Sequence, residues 1–289
     1  MKKTLFLAVC LLMTTNIFAQ YHQDRTIELW DNSTAPHSNA LADGETENYP
    51  YHIGNVTSAA LYVYDADPDK STGEAVVICP GGGYGYVSMD NEGFLPAQWL
   101  AENGITAYVL KYRMPAGHKE VPLEDALKAM RTARADMQAK DSQQHRVGIM
   151  GFSAGGHLAA TASNMGGEDT PDFAILFYPV ISSEPAMTHS GSFDNLLGSK
   201  RSRKQSRRYS MDRCTGEHTP PTLLILSDDD VVVPSAGAAL YYASLKRHGI
   251  RAAMAIYPSG GHGFGNFDRC PYQSEWHNLL LRWLKELRQ

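Results

Sequence analysis

Residues able to pass a proton between them lie far apart in this chain: Ser153, the acids Asp228, Asp229 and Asp230, and His262. Ser153 sits in Gly151-Phe152-Ser153-Ala154-Gly155, directly after the apolar run RVGIM and before an alanine-rich stretch. A sharp turn from strand to helix leaves no room for side chains beside its apex. Glycines at minus two and plus two therefore suit a serine whose hydroxyl is pushed outward. A neutral hydroxyl is a weak nucleophile and needs a base to take its proton during attack. His262, in YPSGGHGFG, supplies an imidazole, and an acid from SDDDVVVP would hold its tautomer. Each motif also has a bland reading, as a glycine-rich turn, an exposed acid cluster or a loop histidine. The order serine, acid, histidine favours the chemical one. Upstream, Gly81, Gly82 and Gly83 follow the run AVVIC. Their backbone amides can approach a substrate oxygen closely and complement the oxyanion of acyl transfer. The patterns G-K-[ST] and G-x-G-x-x-G, which would make this a phosphate loop, are not there.

Such groups need a scaffold that brings them to one edge. From residue 75 onward, short continuous apolar runs alternate with helical patterns. The runs are AVVIC, ITAYVL, RVGIM, FAILFYPV, TLLILS and AAMAIY. Between them fall GFLPAQWLAENG, PLEDALKAMRTARADMQAK, AGGHLAATASNM and SAGAALYYASLKRHG, and PYQSEWHNLLLRWLKELRQ closes the chain as an amphipathic helix. Strands without polar alternation are buried on both faces, which predicts a mostly parallel sheet covered by helices. SAALYVYDA predicts an outer strand ahead of it. The acids and the histidine then follow successive strands, at the carboxyl edge where open α/β sheets gather their ligands. The fold class this predicts is α/β, an α/β-hydrolase fold with a mostly parallel central sheet, helices on both faces and a small lid segment. Residues 199–213 carry seven basic residues between two strands. They read as a solvated helix face or, more sharply, as a lid that attracts an acidic group of the substrate.

Lys2 and Lys3, the apolar run TLFLAVCLLM and the small residue Ala19 have the anatomy of an export signal, too short to span a bilayer. The expected organisation is a signal peptide at 1–19, cleaved before Gln20, an extended N-terminal arm at 20–56 with one short strand at TIELW, and a single α/β-hydrolase domain at 57–289. A retained anchor, or a lipoprotein signal on Cys10, is the alternative. The expected location is periplasmic or secreted. The formal net charge of −5 becomes more negative once two lysines leave with the signal, which excludes nucleic acid as a partner. No membrane partner is expected beyond the signal. The mature chain keeps Cys79, Cys214 and Cys270, an odd number. Cys79 reads as a small core hydrophobe, and export permits a Cys214–Cys270 bridge without requiring one. No cysteine or histidine cluster of zinc type is present, and neither metal nor organic cofactor is expected.

PGGGYGYVS, LKYRMP, GFSAGGHLAA, SDDDVVVP and YPSGGHGFG together resemble the α/β-hydrolases grouped with bifunctional feruloyl and acetyl-xylan esterases. The resemblance runs from TIELW to the final helix and is weakest at residues 199–214. It implies a secreted bacterial carbohydrate esterase acting on an esterified carbohydrate or small ester. It also implies Ser153 as nucleophile, His262 as base and, four residues before the proline of D-x-x-V-P, Asp230 as acid, with Asp229 as fallback. By the same resemblance, the oxyanion donors are the amides of Gly82, Gly83 and Ala154. Tyr84 and Tyr86 are candidates to line the substrate pocket with aromatic faces or, equally, to pack in the core. His157, on the helix after the turn, reads as a packed residue. Two rivals remain. One is a serine peptidase of prolyl oligopeptidase type, which shares this domain but usually carries a propeller ahead of it. The other is a non-catalytic hydrolase fold that binds carbohydrate or a partner.

Overall fold

A computed structural model describes residues 22–42, 44–140, 145–265 and 270–289. The signal expected at 1–19, Cys10 included, lies outside them. Each apolar run forms a strand: β1 Arg25–Asp31, β4 Ser58–Tyr64, β5 Glu74–Cys79, β7 Thr106–Lys111, β8 Arg146–Phe152, β9 Ala174–Phe177, β10 Thr222–Ser227 and β11 Ala252–Tyr257. They make one sheet in the order β1-β4-β7-β5-β8-β9-β10-β11. β1 and β4 pair antiparallel with each other and β4 with β7, and every other pairing is parallel. β5, β9 and β10 are buried throughout, as their lack of polar alternation requires.

The helices are α1 Leu95–Glu102, α2 Glu120–Lys140, α3 Ser153–Met165, α4 Ser190–Leu197, α5 Arg203–Arg208, α6 Ser235–Arg247 and α7 Gln273–Leu287. From β5 the chain steps one way through α1 to β7, then the other way through α2 to β8. Right-handed crossovers therefore put α1 and α2 on opposite faces. α3 joins α2, whereas α7 joins α1, where Trp99 stacks on His277 with ring centroids 3.9 Å apart. The reversal of direction falls between β5 and β8, whose ends lie side by side with Cys79 opposite Gly151. That register sets the glycine loop next to Ser153, at the crevice where such sheets bind ligands.

Two segments depart from the sequence reading. The segment read as an arm at 20–56 is woven into the domain. β1 pairs along β4, and β2 Thr46–Tyr49 and β3 His52–Gly54 form a small second sheet with β6 Tyr86–Ser88. FAILFYPV is a strand only to Phe177, because Tyr178 turns to φ 36° and proline follows. Of residues 199–213, Arg203–Arg208 form α5 with mostly exposed side chains, as the reading of a solvated helix face has it, and α4 precedes them. Cys79, Cys214 and Cys270 are all free thiols. No helix among the described residues is long and apolar enough to cross a membrane.

His157, on α3, is packed as expected: fully buried, its Nδ1 2.9 Å from the Tyr84 hydroxyl and its Nε2 2.7 Å from the Tyr209 carbonyl. A carbonyl only accepts, so Nε2 carries the proton, and Nδ1 accepts from Tyr84. Burial penalises the imidazolium and lowers the pKa to about 4. Below pH 6.5 the unfolded chain then binds a proton the folded chain refuses, so stability falls with pH until about pH 4. From pH 6.5 to 5 this one group should remove about 2 kcal/mol. His157→Gln, which keeps a donor and an acceptor but does not titrate, should flatten that part of the urea-unfolding profile; an equal slope in both proteins would refute the assignment.

Candidate active site

Ser153 stands where β8 becomes α3, with φ at 52°, a strained backbone for any residue but glycine. The flanking glycines are required by contact. A Cβ on Gly155 would lie 2.0 Å from the Cys79 carbonyl, and one on Gly151 2.3 Å from the Gly155 carbonyl. The β5 end and the first turn of α3 can approach this closely only because both side chains are missing. The turn holds the serine hydroxyl at the floor of a cavity of about 450 Å³.

The histidine arrives from the loop after β11. Its Nε2 lies 2.8 Å from Ser153 Oγ, and its Nδ1 lies 2.7 Å from Asp230 Oδ2. Asp230 is buried, and its other oxygen accepts from the amides of Val232 and Val233 at 2.9 and 2.8 Å. The carboxylate is thus fixed on one side by backbone and faces the imidazole with the other. Asp229, the fallback acid, goes elsewhere. Its Oδ1 accepts from Ser227 Oγ at 2.5 Å and from the Gly261 amide at 2.7 Å, which shapes the histidine loop. Those hydrogen bonds, the Ser227 hydroxyl foremost, hold its carboxyl below the usual carboxylate range. Asp228 is exposed. The structure therefore brings Ser153, His262 and Asp230 into one hydrogen-bonded chain.

Gly82 and Gly83 line the same cavity. The Gly82 carbonyl is held by the amides of Gly85 and Tyr86, and the Gly83 carbonyl by Asn195 Nδ2 at 2.9 Å. Ala154 is in the first turn of α3, where amides have no partner within the helix. Of the two tyrosines, Tyr86 is at the cavity wall, partly exposed, its ring stacked on His52 with centroids 4.7 Å apart. Tyr84 is not a pocket residue. Its ring is buried beneath the glycine loop, with the hydroxyl committed to His157. The turn explains the split: an extended chain would send residues 84 and 86 to the same side, but with φ at 61° at Tyr84 the two rings leave in different directions.

Two functional residues were invisible in the motifs. Glu92 is fully buried, and its Oε2 accepts from the Gly81 amide at 2.8 Å while its Oε1 accepts from the Tyr178 hydroxyl at 3.0 Å. The same hydroxyl accepts from the Gly265 amide at 3.1 Å, and the Tyr178 ring meets the His262 ring edge to face at 4.9 Å. Glycine loop and histidine loop are thereby joined through one carboxylate and one phenol. Burial pushes the Glu92 pKa up, against the opposing pull of His262, Tyr178 and the Gly81 amide. Nothing in the sequence singles Glu92 out from Asp90 and Asn91 just before it. Tyr178→Phe removes both of its hydrogen bonds with little loss of volume. Looser positioning of His262 should lower kcat for an ester by about 10- to 100-fold with a smaller change in KM; a fall confined to KM would refute this positioning role.

α4 and the residue before it form one side of the cavity. His189 and Asn195, at and within α4, line the cavity, and His189 Nδ1 lies 2.9 Å from Ser192 Oγ. The basic segment lies further out. Arg203–Arg208 form α5, opened by a capping box between Ser202 and Gln205, and their side chains are largely exposed.

Over 225 residues the chain is 37% identical to an acetylxylan esterase of Xylanibacter ruminicola, covering 76% of this chain and 47% of that protein. Over 235 residues it is 28% identical to endo-1,4-beta-xylanase B of Butyrivibrio fibrisolvens, covering 75% of this chain and 36% of that protein. It spans about half or less of the length of these relatives. The crystal structure of an acetyl ester-xyloside bifunctional hydrolase from Caldicellulosiruptor lactoaceticus superposes with a TM-score of 0.77 at 31% identity, covering 93% of this chain and 98% of that one. Residues 110–289, which carry Ser153, Asp230 and His262, match the model of the prolyl oligopeptidase family. With its α/β-hydrolase sheet and its turn at Ser153, the chain belongs to the prolyl oligopeptidase family.

Proposed function

We propose that this protein is a serine esterase that removes acetyl groups from a xylan-type polysaccharide. The observation that carries it is the relay from Ser153 Oγ through His262 to Asp230, at 2.8 and 2.7 Å, on the floor of an open cavity. His262 takes the Ser153 proton as Oγ attacks the ester carbonyl, and Asp230 steadies the imidazolium. The amides of Gly82, Gly83 and Ala154 face the oxygen that gains charge. Collapse of the tetrahedral intermediate expels the sugar alcohol, protonated by His262, and leaves an acetyl ester on Ser153. Water, deprotonated by the same imidazole, then releases acetate.

Family membership by itself also fits a peptidase, since the matching model is named for one. The ester reading is favoured by the relatives: one is an acetylxylan esterase, and the structure aligned along almost its whole length is an acetyl ester-xyloside hydrolase. Feruloyl esters are a second acyl class to include. Acetate release from acetylated xylan, set beside methyl ferulate, p-nitrophenyl acetate and dipeptidyl p-nitroanilides, separates these activities. Turnover of the acetyl esters without release of nitroaniline is the expected outcome; nitroaniline release without acetate would replace the esterase by the peptidase. Residues 1–19 are proposed as a cleaved signal for a periplasmic or secreted protein, supported by the lysine pair, the apolar run and Ala19. N-terminal sequencing of the exported form should begin at Gln20.

A further inference from the structure

A second cavity of about 450 Å³ is bounded by Arg201, Arg203 and Arg207, by Glu184 and Asp194, and by Ser183, Ser199 and Ser206. α4 contributes to both cavities: Asp194 lines this cleft, and the next residue, Asn195, lines the catalytic cavity and bonds the Gly83 carbonyl. The two carboxylates are already engaged. Asp194 pairs with Arg201, and Glu184 with Arg213 at 3.0 Å. Arg201 is further braced by Ser190 Oγ at 3.2 Å and by the Phe193 ring. Among the described residues, Arg203 and Arg207 have no carboxylate partner. They stand one helical turn apart on α5, which brings both guanidiniums to one face. With Asp194 held by Arg201 and Glu184 by Arg213, the guanidiniums of Arg203 and Arg207 stay uncompensated in the lining, on a chain whose overall charge is negative.

We propose that this cleft binds the carboxylate of an acidic sugar unit on the polymer whose acetyl group is cleaved at Ser153. The proposal rests on the esterase reading above. Guanidinium forks match a carboxylate through paired hydrogen bonds. The serines and the two acids complement sugar hydroxyls, which both donate and accept. A uronate brings a sugar ring whose hydroxyls suit the serines and the two acids, which a bare phosphate lacks. Because adjacent residues of α4 line the two cavities, an anchored uronate and a bound acetyl ester can belong to one oligosaccharide.

The test compares an acetylated xylo-oligosaccharide bearing a glucuronate with the same oligomer after reduction of its carboxyl group. The native enzyme should deacetylate the acidic oligomer with a kcat/KM on the order of five- to tenfold higher. That advantage should shrink as salt rises from about 50 mM to about 0.5 M. In the double variant Arg203→Gln/Arg207→Gln the ratio should fall to near one. Because each ratio is taken within a single protein, a general loss of activity cancels. Equal rates on both oligomers in the native enzyme, or an advantage that survives in the double variant, would overturn the proposal. So would inorganic phosphate competing at lower concentration than free glucuronate. If neither oligomer loses acetate, the esterase reading fails, and calorimetric titration of Ser153→Ala protein still decides the cleft. Tighter binding of the acidic oligomer that depends on Arg203 and Arg207 supports the site; equal binding of both oligomers removes it.

Discussion

Ser153→Ala should lower kcat for p-nitrophenyl acetate by about 10⁶-fold, with KM little changed. The magnitude follows from what the hydroxyl does. With it gone, no acyl-enzyme forms, and His262 can act only on a water that nothing positions. A residual acceleration over the uncatalysed reaction should persist, since the amides of Gly82, Gly83 and Ala154 would still receive the oxyanion. The substitution is small and local. Alanine at 153 still has to adopt the φ of 52°, so the change should leave the fold's thermal transition within a few degrees of native. Parallel calorimetry of the two proteins checks this, and an unfolded variant would be recognised before its kinetics were interpreted.

Asp230→Asn should cost on the order of 10⁴ in kcat. An asparagine keeps the size of the side chain, and its carbonyl can go on accepting from the Val232 and Val233 amides, as Asp230 Oδ1 does. Its amide group would then face Nδ1 as a donor. The imidazole would be driven to carry its proton on Nε2, the nitrogen 2.8 Å from Ser153 Oγ, where a lone pair is needed. The neighbouring acid provides the contrast. Asp229 touches the backbone of Gly261 and the Ser227 hydroxyl, not the imidazole, and an asparagine there can still accept both bonds. Asp229→Asn should therefore cost about 10-fold or less, a geometric effect on the loop. Comparable losses in the two variants, measured as kcat on one ester, would show that the acid role is shared.

Why the relay was legible and its supports were not is a matter of range. Gly151, Ser153 and Gly155 announce themselves because a tight turn imposes a fixed spacing on adjacent residues, and His262 because it lies in a glycine-rich loop after a strand. The strands were readable because burial on both faces removes polar alternation, as in TLLILS, which is β10 residue for residue. Choosing among three consecutive acids was harder. Asp228, Asp229 and Asp230 differ only in the direction each side chain leaves the turn after β10, which spacing does not encode. Glu92 and Tyr178 lie 86 residues apart and meet through folding alone, so no local pattern marks them. Tyr84 shows the limit from the other side. An aromatic beside a glycine loop suits a pocket wall or the core equally well, and the partner that decides it, His157, is 73 residues away. The small sheet of β2, β3 and β6 escaped for a similar reason, since strands of three or four residues are too short to establish a period.

Acyl transfer in this site requires that Ser153 Oγ be the atom that is acylated. Treating the native protein with a fluorophosphonate, which phosphonylates only an activated serine, and mapping the modified peptide by mass spectrometry examines that step alone. The expected result is a single adduct on Ser153, with loss of esterase activity in proportion to labelling and no adduct in His262→Ala. Full esterase activity in a protein that takes up no label at Ser153, or a stoichiometric adduct on some other serine, would contradict it.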